Sequence, residues 1–381
     1  MAPPALPPTT VTGDVVAVHS FWTADHSRIV TESTIRADDG STMTVSQLGG
    51  SVDGVAMRQF PGPEILSVGL TVSLATHAEP DLSLQMHQTV DDLRILARPD
   101  DFVRSGPTKQ GTSLYWASGC IYVTVDSDGT REIAGSDEFP LVDQCIDTWN
   151  TDIASCSYMQ VMNAGSASVE VGADYTNVIK FRDTSWCRPA IGDDPARCYG
   201  ATAAGITTAL YVDDANSDRD GEILDADIEI NGVNFAISND GVSLATGCLA
   251  ELKNTLTHEL GHLHGLEHPC LADGDPPRVD NTGSAVPSCD SDAGEVPAIT
   301  EVTMYNFQDC GETKKESLET DDIQGACTIA PLAKDPHACD MVEPTTGSGG
   351  CCDAGGASGP TAVLGALAVV LGRRRKISRR E

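Results

Sequence analysis

Residues 258 to 268 read HELGHLHGLEH and hold four of the chain's nine histidines. That spacing leaves the backbone few options. His258 and His262 stand four residues apart, so on a helix both imidazoles project from one face and can meet at one point. Glu259 lies one position along the same turn. At about 100° per residue, His264 falls roughly 240° round from His258 and reads as a solvent or packing histidine. His268 would lie about 15 Å further along a continuous helix, too far to join the first two. Gly265 removes the difficulty, because a glycine can take the left-handed conformation that ends a helix and lets the chain turn back. The stretch therefore predicts a helix over roughly 249–265, a stop at Gly265 and the return of His268.

Three imidazoles gathered in this way are a ligand set for zinc. Three protein ligands leave the fourth position open to water, which is the catalytic arrangement and not the structural one. Zinc lowers the pKa of such a water, and Glu259 is placed to accept its proton. A bare HExxH arises often by chance, whereas HExxHxxGxxH fixes five positions and gives each a physical role. His258, His262 and His268 are the expected zinc ligands and Glu259 the expected general base.

The rest of the chain sets the context. Its 381 residues suit two or three domains, and a formal net charge of −32 disfavours nucleic acid and anionic lipid as partners. None of the thirteen cysteines precedes Cys120; eleven lie between Cys120 and Cys339, without CxxC spacing. Such a distribution argues for disulfides formed in an oxidising compartment, with the odd thiol of the eleven left free or paired elsewhere and Cys310–Cys327 as one expected bridge. The opening MAPPALPPTT shows neither the basic nor the apolar region of an export signal, so the expectation is a true start further upstream.

Alternating apolar stretches such as RIVTESTIRA and LSVGLTVSLA, separated by turn signals, predict a small all-β accessory domain over 14–97, a sandwich or barrel. A linker is expected over 98–113. Strands then mix with helices over 114–332, which gives an α+β domain, and a second linker covers 333–350. The tail, 351–381, contains Cys351 and Cys352, an apolar segment and an arginine cluster. About 19 uncharged residues there are just enough to span a bilayer with the basic end cytoplasmic, the one membrane contact expected.

A second candidate metal site is NSDRDGEILDAD, residues 216–227. Asn216, Asp218, Asp220, Glu222 (through its carbonyl) and Asp227 fall at EF-hand-like positions around Gly221, so the loop binds calcium or is an acidic turn between strands.

The extended histidine motif resembles that of the metzincins, the zinc endopeptidases defined by it together with a downstream Met-turn. EVTMYNF supplies that turn, with Met304 beneath the zinc, and the Met304–Tyr305 pair resembles the matrixins. Asn306 stands where astacins and serralysins carry a tyrosine ligand, so no such ligand is expected. The resemblance implies a twisted, mostly parallel sheet with an antiparallel edge strand that binds substrate by strand addition. ILDADIEIN, with Asp225, Ala226, Asp227 and Ile228, resembles that edge strand. LETDDIQGACTIAP resembles the closing helix, with Asp321 and Asp322 anchoring the fold below the site. A cysteine switch is excluded within this sequence, because no cysteine precedes Cys120. The tail is similar to MYXO-CTERM surface-sorting signals of myxobacteria, which implies export, processing near Cys351 or Cys352 and retention at the cell surface. The expected protein is thus a secreted or surface-held monomeric zinc endopeptidase acting on protein or peptide substrates. The competing expectations are a surface adhesin or binding protein with a structural or latent zinc domain, and a metal-dependent hydrolase of another bond.

Overall fold

The computed structural model describes residues 9–24, 26, 28–37, 39–52, 55–57, 65–80, 86–97, 101–190, 196–242, 247–339 and 362–370; for 9, 55–56, 76–80, 86–97 and 362–370 it describes the backbone alone. Cys351, Cys352 and the arginine cluster lie outside the described residues. The chain divides into two units, residues 1–101 with 289–300 and residues 102–288 with 301–381.

The first unit is a closed barrel. Strands β1 (Thr9–Trp22), β2 (Ile29–Ala37), β3 (Thr42–Leu48), β4 (Thr71–Pro80) and β5 (Met86–Ala97) run in the order β1-β2-β3-β5-β4. Closure follows from β1, whose first half pairs with β4 and whose second half pairs with β2, with a register shift between Val15 and Ala17. A long strand bent at such an irregularity can serve both edges of one sheet. Of the sandwich and the barrel, the structure forms the barrel. Alternation turns Val15, Ile35, Val45, Val72 and Leu74 inward, where Leu66 and Leu70 complete the core.

The second unit is mixed α and β, with strand predominating. Its main strands are β6 (Val103–Arg104), β7 (Cys120–Asp126), β8 (Gln160–Ala167), β9 (Asn177–Arg182), β10 (Ala203–Val212), β11 (Ile223–Asn231), β12 (Leu266–Glu267) and β13 (Ala362–Val370). The helices that matter here are α1 (Glu138–Ile153), α2 (Leu252–Leu263) and α3 (Thr320–Ile329). One sheet runs β8-β7-β9-β11-β10-β13. Its first four strands are parallel, β10 is antiparallel to β11, and β13 is antiparallel to β10. Val142, Cys145, Ile146, Trp149 and Ile153 form the buried stripe of α1, the spacing an amphipathic helix requires. They share a core with Ile121, Val123 and Val125 of β7, Ile228 and Ile230 of β11, and Leu252, Leu256, Leu260 and Leu263 of α2.

Two expected boundaries move. Residues 102–113 are not a spacer: Phe102 and Val103 are buried, and β6 pairs with β12. The body also runs past residue 332, because Cys339 is bonded to Cys120 at the start of β7. Further bridges are Cys156–Cys327, Cys187–Cys198 and Cys248–Cys310. Cys270 and Cys289 are also disulfide-bonded, and Cys145 is a buried free thiol. The Cys310–Cys327 pairing is therefore corrected. The backbone gives the reason, since Gly311 donates to Leu249 beside Cys248, while Tyr158, just beyond Cys156, donates to Ala330 at the end of α3. These bonds are consistent with an extracellular protein.

The apolar tail segment is the strand β13 along β10, with Thr207 opposite Leu367 and Gly205 opposite Val369, and not a helix. Among the described residues no helix is long and apolar enough to cross a membrane.

Candidate metal centre

Helix α2 starts where the Glu251 carboxylate caps it, accepting from the Asn254 amide at 2.6 Å. Two indoles pin its carbonyls: Trp149 Nε1 donates to Thr257 and Trp116 Nε1 to Leu263, at 2.9 and 2.7 Å. The helix ends at Leu263, and Gly265 takes a φ of 95°, in the left-handed region expected of it. β12 then doubles back by pairing with β6, which carries His268 to the histidines of α2.

His268 Nε2 lies 3.2 Å from His258 Nε2 and 3.1 Å from His262 Nε2. All three residues are buried, and together they could hold a metal ion. Their other nitrogens are engaged. His258 Nδ1 donates to the Thr303 carbonyl at 2.6 Å and His262 Nδ1 to the Leu266 carbonyl at 2.9 Å. With those protons committed, both Nε2 atoms present lone pairs inward. Burial, above all, pushes the three imidazoles below their ordinary pKa, His262 to about 4. They are neutral at physiological pH, the form a metal requires.

The surroundings hold these rings in place. Asp322 of α3 hydrogen-bonds Thr303, whose carbonyl takes the His258 proton. Met304 packs against Gly261, between the two histidines of α2, so that any Cβ at Gly261 would run into its sulfur. Buried Lys315 donates to the Tyr305 and Phe307 carbonyls at 2.6 and 2.9 Å and fixes the loop that carries Met304. Glu267, paired with Arg278 at 3.0 Å, accepts from the His268 amide at 3.0 Å. His264, turned away from the triad as its angle predicts, packs and does not meet solvent: it is fully buried, stacked on Trp149 at 4.6 Å, and pushed by burial to about 3.

Glu259 points to β10. Its Oε2 accepts from the Thr207 hydroxyl at 2.6 Å, and Gly205 lies so close that a Cβ there would stand 2.5 Å from Oε1. Neither β10 residue, nor Lys315, carried a signal in the sequence. Each is a single position far from the motif and outside any periodic pattern.

Two expected groupings are corrected. Asp225, Ala226, Asp227 and Ile228 lie on β11, which is paired on both sides by β9 and β10 and is no edge. Its alternation marks a polar face that is buried. Asp225 accepts the amides of Asp174 and Tyr175, and Asp227 those of Gly172 and Val178. Glu229 takes Arg182 and Tyr199. The antiparallel strand beside α2 is β10. Three of the supposed calcium ligands are likewise engaged elsewhere. Asp220 accepts from Thr108 and from the Asp214 amide, the Glu222 carbonyl accepts from the Val212 amide, and Asp227 sits in the sheet. Among the described residues, the carboxylates of Asp218, Asp220, Glu222 and Asp227 do not gather into a metal-binding cluster; the histidine triad is the one group of His, Cys, Asp or Glu side chains that could hold a metal.

No protein-family model matches the chain, and no curated protein is significantly similar to it.

Proposed function

We propose that this protein is an exported zinc endopeptidase of metzincin type. The observation that carries this reading is the convergence of three Nε2 atoms, two of them 3.1 and 3.2 Å from the third. Nitrogens bound to one tetrahedral zinc at about 2.0–2.1 Å lie roughly 3.3 Å apart, so the spacing suits that ion. Bound there, zinc would polarise a scissile carbonyl and acidify a water. Glu259 would serve as the base, its carboxylate taking a proton from such a water and returning it to the leaving amine. Met304 is the floor of the site, and an extended peptide would add antiparallel to β10 in the place that β13 takes in this structure.

A second reading, a surface binding protein with a structural or latent zinc domain, is favoured by one observation. His258 and Glu259 are fully buried, and β13 lies along β10 with Cα atoms within 8 Å of α2.

The two readings separate in one experiment. The full chain and Glu259→Ala are produced through an oxidising compartment, then assayed for bound zinc and for cleavage of an unfolded protein. The peptidase reading expects zinc in both and a fall of about 10²–10⁴ in the variant's rate. Zinc in both with cleavage in neither supports the structural or latent domain, and no zinc in either removes the metal reading.

A further inference from the structure

We infer that Thr207 is a positioning residue for Glu259, holding the carboxylate in the orientation needed for proton transfer; this rests on the peptidase reading above. Thr207 Oγ1 is 2.6 Å from Glu259 Oε2 and 3.2 Å from the Glu259 carbonyl oxygen, and the hydroxyl's one proton serves the shorter contact. The donor itself has little freedom. Thr207 is fully buried and β-branched, and its backbone stands opposite Ile228 on one side and Leu367 on the other. Two residues back on the same face of β10, Gly205 lets the carboxylate lie against the strand, with a Cβ there falling 2.9 Å from its Cδ. One strand thus has two tasks: its outer side pairs with the extended strand β13, and its face fixes the base. Their spacing is set by the strand and does not depend on a loop.

The test compares Thr207→Val, nearly isosteric but without the hydroxyl, with Thr207→Ser, which restores it. Saturating rate, KM, zinc content and thermal unfolding are measured on the full chain with a labelled unfolded protein as substrate. The expected result is a kcat roughly ten- to a hundredfold lower for the valine variant, with KM and zinc content unchanged, and recovery by serine to within about threefold. A valine variant with the wild-type kcat overturns the inference and leaves the peptidase reading standing, provided Glu259→Ala remains inactive. Equal losses in both variants with lowered unfolding temperatures show a packing role and overturn it too. Failure of the wild-type chain to cleave at all overturns both.

Discussion

Asp225 and Asp227 lie two residues apart on one face of β11, both buried. Burial raises Asp225 to about 7 and, with the neighbouring Asp225 carboxylate, holds Asp227 well above the ordinary range. Between about pH 4 and 7 the folded chain therefore keeps a proton that the unfolded chain has released. Stability supplied by that proton is present at low pH and is lost as pH rises through about 7. Asp225→Asn, which cannot ionise, should flatten this dependence. In denaturant titrations across that range, wild type should lose stability relative to the variant by up to about 1.4 kcal/mol per pH unit. Parallel curves would show that Asp225 is ionised throughout. These two residues also show where sequence reading stops at this scale. The histidines and Glu259 were legible because their spacing encodes a shared face and a turn. Asp225 and Asp227 were not, because alternation records which face is polar without recording whether solvent or a buried loop lies against it.

At the scale of elements, α2 and the segment carrying Met304 act as one piece. In the interior of an exposed helix, glycine to alanine gains about 1 kcal/mol. At Gly261 the sign should reverse, because the new Cβ meets the Met304 sulfur and comes within 3.1 Å of the Trp149 ring. Gly261→Ala is expected to cost roughly 1–3 kcal/mol in unfolding free energy. It should also weaken zinc retention against a chelator, since relief of the clash displaces either Met304 or a ligand-bearing turn. An unchanged stability would mean that Met304 is not seated against the helix. The helix and its stop at Gly265 could be read in advance from apolar spacing and one glycine. The roles of β10 and β11 could not, because strand order is fixed by contacts between residues far apart in sequence.

For the whole molecule, the bridges close long loops around the sheet, with 219 residues separating Cys120 from Cys339 and 171 separating Cys156 from Cys327. Such links restrict the unfolded chain most. Paired replacement of Cys156 and Cys327 by alanine should lower stability by about 2–5 kcal/mol, read from denaturant midpoints. The count of eleven cysteines foretold oxidation and one leftover thiol, while the partners followed from the fold, as at Cys248 and Cys310. The barrel was legible as an all-β unit. The 98–113 boundary was misplaced, because its polar composition hid the strand that Val103 and Arg104 contribute beside β12. The most direct test of the central claim is a zinc titration of metal-stripped, disulfide-intact protein followed by cleavage of an unfolded chain. Activity should return in proportion to added zinc, saturate at one ion per chain and be absent in His268→Ala. Full activity without metal, or saturation with His268→Ala as active as wild type, would contradict the assignment of the histidine triad as the catalytic centre.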